Sequence, residues 1–182
     1  MIGDAGAPER IDVAQRPRAA AMVATFLGVF LLFTLSEYSF RNQLGPFVNG
    51  VMTVRPAARL VDLLAPSEHV RARGDRIQSH LAQVRVAQGC EGVDVMLMFF
   101  AGMLAPRRNL KRTLVGCLVG GVVLYLCNLG RVAGLWFCVR YWPSRFEAMH
   151  MIVGQTVIIV VAVLLLVAFT RSVVPARAPE GR

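Results

Sequence analysis

Four apolar stretches divide the chain, at about residues 19–40, 91–105, 113–139 and 149–170. A helix rising about 1.5 Å per residue needs roughly 17 to 25 residues to cross the hydrocarbon, so the first, third and fourth are long enough to span a membrane. The second, at about 15 residues, is short for this purpose and is expected to begin beneath the membrane surface, half-burying the residue at its mouth. The polar stretch between the first two is punctuated by Pro46, Pro56 and Pro66. Within it, residues 51–64 carry apolar side chains at helical spacing, as an interfacial or re-entrant helix would. Residues 68–86 are polar, with Gly74-Asp75 as a turn and Val84-Arg85-Val86 alternating like an edge strand, which predicts a small hairpin. The pattern predicts an all-α integral membrane protein with about four transmembrane helices and a small extracytoplasmic segment between the first and second. Its organisation reads as a cytoplasmic amino-terminal segment (1–18), one membrane-embedded domain (19–170) and a cytoplasmic tail (171–182) whose Pro-Ala-Arg-Ala-Pro run is expected to be disordered.

Composition agrees with a membrane class: 55% of residues are hydrophobic, above the roughly 45–50% usual for soluble domains. The net charge of +9 does not redirect the reading to nucleic acid, because the basic residues are scattered between apolar runs and form no recognition motif. Arg10, Arg16 and Arg18 precede the first apolar stretch as in a signal peptide, yet no small-residue cleavage site follows Leu35-Ser36-Glu37-Tyr38-Ser39, so this stretch is read as a retained anchor. Basic residues at the amino terminus, in the 106–112 loop and in the tail assign those segments to the cytoplasmic side. The arginines of residues 41–89 do not oppose this orientation, since long loops translocate with weaker regard to charge.

This topology places three reactive side chains at one depth. Cys90, in Gly89-Cys90-Glu91-Gly92-Val93-Asp94, opens the second apolar stretch; Arg131 lies about 28 Å up the third by helix rise; His150 opens the fourth. A thiol near pKa 8.5 becomes a nucleophile when a base, a cation or a helix amino terminus draws off its proton. His150 is placed to take that proton, Arg131 to stabilise an oxyanion, and Asp94 to orient His150 or pair with Arg131, while Glu91 and Asp94 also oppose thiolate formation. Each residue has an ordinary alternative: Arg131 snorkelling to headgroups, His150 interfacial beside Trp142 and Phe146, Asn128 a polar residue in helix packing. Cys117, Cys127 and Cys138 all lie inside the third stretch and are read as packing residues; His69 and His80 are read as surface residues. Neither a metal nor a cofactor is expected, since Cys90 and His150 alone do not make a ligand set.

The motifs Gln88-Gly89-Cys90-Glu91-Gly92-Val93-Asp94, Asn128-Leu129-Gly130-Arg131-Val132 and Phe146-Glu147-Ala148-Met149-His150 resemble, in order and spacing, the exosortase and archaeosortase family, and most closely its short members of the exosortase H type. The resemblance implies that Cys90, Arg131 and His150 are the catalytic residues of a membrane cysteine transpeptidase. It also implies a substrate: an exported protein whose carboxy-terminal sorting signal comprises a short motif, a transmembrane helix and a basic cluster. The protein would be held as a thioester and passed to an acceptor nucleophile of unstated identity. The expected setting is a bacterial inner membrane, with lipid around the helices and the site facing away from the cytoplasm. Two other readings remain open at this point, a plain cysteine protease with water as acceptor and a non-catalytic four-helix scaffold.

Overall fold

A computed structural model describes residues 15–87, 89–106 and 109–171. The expected cytoplasmic tail and most of the amino-terminal segment lie outside the described residues, as do Gln88, Arg107 and Arg108. Helix α1 (Gln15–Pro46) runs into a wide π-helical segment (Phe47–Val54) and then α2 (Arg55–Leu64). A three-stranded sheet follows, β1 (Arg71–Arg73), β2 (Arg76–Gln78) and β3 (Gln83–Arg85), and then α3 (Val93–Leu104) and α4 (Leu110–Tyr141). The short α5 (Phe146–Ala148) passes through a second π-helical segment (Met149–Val153) into α6 (Gly154–Arg171).

Among the described residues three helical stretches are long and apolar enough to cross a membrane: Ala19–Leu64, Leu110–Tyr141 and Pro143–Arg171. The second apolar stretch, expected over 91–105, yields only the 12 residues of α3, about 18 Å of rise and shorter than a span. Gly92, in the left-handed region at φ 78°, delays the start of this helix by two residues. The first helix, expected to end near residue 40, continues without a break to Leu64. Glu37 and Arg41, one turn apart, form an ion pair at 2.9 Å that carries it past the predicted end.

Two prolines account for the change of winding in that long helix. A proline offers no N–H and its ring clashes with the carbonyl four residues back. Pro46 stands immediately before the π-helical segment, in which Thr53 Oγ1 donates to the Val48 carbonyl five residues earlier at 3.0 Å. Pro56 leaves the Met52 carbonyl without its α-helical donor, and Tyr125 Oη of α4 supplies one at 2.7 Å. An orphaned carbonyl thus becomes a tether between two helices.

The polar segment forms an antiparallel meander in the order β1-β2-β3, one strand more than the expected hairpin. Gly74-Asp75 makes the first turn, with Gly74 at φ 57°. Ile77, Val84 and Val86 turn inward and pack on Val54, Ala57 and Val61 below α2 and on Leu129, Val132 and Trp136 of α4. Glu68 pairs with Arg140 at 2.8 Å and pins this small domain to the end of α4. A second cluster lies further along the helices, where Val95, Phe99 and Met103 of α3 meet Leu124, Ile158 and Ala162.

Helix α3 approaches α4 closely because α4 presents glycines there. A Cβ on Gly120 would overlap the Phe99 ring and one on Gly116 would overlap Met103, the small-residue contact by which helices pack where solvent provides no hydrophobic drive. Gly120→Ala is therefore expected to cost about 1–3 kcal/mol by overpacking, whereas Gly134→Ala, whose Cβ would meet nothing within 4 Å, should be neutral or nearly so. Thermal unfolding in detergent, comparing both variants with the parent, measures the difference.

Candidate active site

The segment Gly89-Cys90-Glu91-Gly92 turns sharply into α3, and two of its glycines make this possible: Gly89 has φ 90° and Gly92 φ 78°. The Cys90 amide donates to the Ala87 carbonyl at 3.1 Å, and the Gly89 amide donates to Glu91 Oε2 at 2.6 Å. These bonds hold the turn internally. Asn128, 2% exposed on α4, fastens it to the helix bundle: its Nδ2 donates to the Glu91 carbonyl at 2.7 Å and to the Cys90 carbonyl at 3.3 Å. The fit leaves no room at Gly92, where a Cβ would come within 2.8 Å of the Asn128 carboxamide carbon.

Arg131 lies one turn beyond Asn128, and its Nη1 donates to Asn128 Oδ1 at 3.4 Å. The arginine stem passes over Gly154, whose Cβ would fall 2.9 Å from Nε. Gly154 follows His150 by four residues, so one face of the last helix both carries the imidazole and clears space for the guanidinium. His150 Nε2 is 3.8 Å from Cys90 Sγ, across a sequence separation of 60 residues. The Phe146 ring stacks on His150 with centroids 5.6 Å apart and planes 2° from parallel, and no hydrogen-bond partner meets the buried Nδ1. Ring stacking and burial orient this imidazole, with no carboxylate in that role.

The thiol, guanidinium and imidazole expected to converge do converge. Of the three supporting residues, Asn128 and Glu91 shape the turn through its backbone. Asp94 instead lies exposed in the first turn of α3, without a hydrogen bond to His150 or Arg131; its charge and that of Glu91 reach Arg41 of α1. Asp94 was expected to orient the imidazole because it follows Cys90 by one helical turn; the helix starts only at Val93, so that spacing does not apply. Phe146 and Gly154 were not singled out for these roles, although their positions four residues before and after His150 are the spacing at which helical side chains meet. Among the described residues no three His, Cys, Asp or Glu side chains gather as a metal site. Cys138 is buried and bonds the Trp142 carbonyl, and Cys117 packs in the second cluster, both as packing residues do.

Cys90 and His150 open on a cavity of about 150 Å³, lined also by Val132 and Leu135 of α4, residues 84–87 and Phe146. The family model for transmembrane exosortases matches residues 13–167. The chain belongs to the transmembrane exosortase family. The match takes in α1 to α5, α6 up to residue 167, and all three residues of the cluster. Searches among curated proteins and among solved structures return no match. As an exosortase-family protein this is a membrane protein with several apolar helices, and its polar cluster sits where the sheet domain meets them.

Burial is the largest influence on the Cys90 thiol and pushes its pKa up; the Arg131 charge pulls it down, and Glu91 pushes it up again. The balance is upward, so the resting thiol is protonated and needs a base. Since the thiolate is the species that alkylates, the pH midpoint of Cys90 alkylation by iodoacetamide is expected to rise in Arg131→Gln and to fall in Glu91→Gln. Labelling rates from pH 6 to 10, with Cys90→Ala as the blank, read both directions.

Proposed function

We propose that this exosortase-family protein is a cysteine transpeptidase. It cleaves a carboxy-terminal sorting signal from exported proteins through a Cys90 thioester and transfers the freed carboxyl to an acceptor. The observation that carries the reading is the approach of Cys90 Sγ to His150 Nε2 at 3.8 Å, between residues 60 positions apart brought into one cavity.

The chemistry follows from the protonation states. His150 Nε2 takes the proton from Cys90 Sγ as the sulfur attacks the scissile carbonyl carbon, and the carbonyl oxygen gains negative charge. Arg131, anchored by Asn128, supplies the cation for that oxygen. Collapse breaks the C–N bond, the imidazolium returns its proton to the leaving amine, and an acyl thioester remains on Cys90. An acceptor nucleophile then attacks the thioester, giving its proton to His150, and the product leaves as the thiol re-forms. A buried thiol with a raised pKa suits this cycle, because it stays protonated and unreactive until a substrate is in place.

The site's location supports the substrate class. A cluster at the junction of apolar helices and a polar sheet reaches peptide bonds presented at a membrane boundary, as a sorting signal with its own transmembrane helix would present them. The setting we infer is a bacterial inner membrane with the site on the face away from the cytoplasm, lipid around the helices, and an acceptor drawn from that compartment.

In cells expressing the protein with a tagged candidate substrate, Cys90→Ala is expected to lower processing by about a thousandfold or more, to background. A hydroxylamine-sensitive adduct should form on the parent and not on this variant, and an added amine should be captured in the product. Unchanged processing in Cys90→Ala would sink the proposal; an adduct that yields only free acid whatever amine is supplied would make the protein a protease instead.

A further inference from the structure

Strand β3 has one partnered edge and one open one. Val86 N donates to the Asp75 carbonyl and Ser79 N to the Ala82 carbonyl, both at 2.8 Å, and the register pairs Ile77 with Val84 and Arg76 with Arg85. In an antiparallel ladder the residues that exchange bonds alternate with those that do not. The bonded positions on this strand are therefore Ala82, Val84 and Val86. The amides and carbonyls of Gln83 and Arg85 point the other way, out of the sheet. Their side chains are exposed, while Val84 and Val86 are buried against α4, and among the described residues no further strand pairs with this edge.

The strand shares a cavity with the reactive cluster: residues 84–87 line it together with Cys90, His150, Phe146, Val132 and Leu135. The ladder has a natural stop, because the Ala87 carbonyl is already bonded to the Cys90 amide at 3.1 Å. A slot with unpaired backbone donors and acceptors along one wall and a nucleophile at its end fits an extended peptide.

We propose that the substrate's cleavage segment binds as a fourth strand, antiparallel to β3, with one peptide residue exchanging both main-chain hydrogen bonds with Arg85. The strand runs on past Ala87, which delivers the following carbonyl to Cys90 Sγ. Recognition of this kind takes affinity from the main chain and leaves specificity to alternate side chains. One set of those side chains faces Val132 and Leu135 and the other faces out. The inference rests on the reading of Cys90 as a nucleophile that meets a peptide, and assigns that peptide its track.

The test uses the full-length protein in detergent and tetra-alanyl chloromethyl ketone, which alkylates a thiol with loss of chloride. A series with one N-methyl group at each successive residue removes one main-chain donor at a time. The rate of Cys90 alkylation should fall about tenfold at alternate positions only, the effect of losing one main-chain hydrogen bond, while iodoacetamide, which has no strand to add, reacts equally throughout. Arg85→Pro, which deletes the outward N–H, should slow the peptide reagent more than it slows iodoacetamide. A series with no alternation, or a peptide reagent no faster than iodoacetamide, overturns strand addition. The N-methyl series uses the parent protein, so it decides the matter even where Arg85→Pro fails to fold. It needs no turnover either, so it is independent of the Cys90→Ala processing result, which alone bears on catalysis.

Discussion

The carboxamide of Asn128 is the constraint on which the rest of the site depends. A polar side chain on a membrane helix is costly unless its donors and acceptors are used, and here one buried amide group meets the carbonyls of Cys90 and Glu91 on one side and the guanidinium of Arg131 on the other. The turn that carries the thiol is otherwise closed on itself, through Ala87 and the Glu91 carboxylate. Asn128 therefore fixes where the sulfur stands relative to α4, and with it the distance between sulfur and cation. Gly92 and Gly154 are the complements of this arrangement, each vacating the volume that a side chain of the cluster occupies.

The two prolines of the first long helix work on a larger scale. By forcing wider winding and exposing the Met52 carbonyl to Tyr125, they bend the hydrogen-bond ladder into a contact with α4 at the level where α2 packs on the sheet. The sheet is thereby held against α4 by α2 and by the Glu68–Arg140 pair, with Val84 and Val86 seated on the same helix that supplies Asn128 and Arg131. Helix α4 is thus the common reference for the sheet, the turn and the cation.

Much of this was legible in residue order. Hydropathy located the long helices because burial in lipid demands uninterrupted apolar runs, and helix rise alone put Cys90, Arg131 and His150 at one depth. Turn chemistry at Gly74-Asp75 and alternation through Val84-Arg85-Val86 pointed to a hairpin, and the structure has one strand more. Arg71-Ala72-Arg73 carries no apolar signal and is a strand only through its pairing with β2. Residues 51–64 were legible as a helix from their apolar spacing, but its continuity with the first helix through residues 41–50 was hidden by prolines that ordinarily end a helix and here only change its winding. The role expected of Asp94 failed for a local reason: a left-handed glycine between it and Cys90 interrupts the helical spacing on which the expectation rested. The stacking of Phe146 on His150 and the clearance at Gly154 required knowing that a helix passes continuously through residues 146–154 beside Arg131.

The shortness of α3 has a consequence for what the protein measures. Twelve residues starting at Val93 rise only about 18 Å, well under the roughly 30 Å of a hydrocarbon core. Helix α4, with 32 residues, rises about 48 Å, so α3 cannot match it at both ends. Under the proposed function, a substrate with its own full-length helix would be held by the bilayer at one height while the sulfur stands at another. That offset would select a bond by its distance from the end of the arriving helix before any side chain is read.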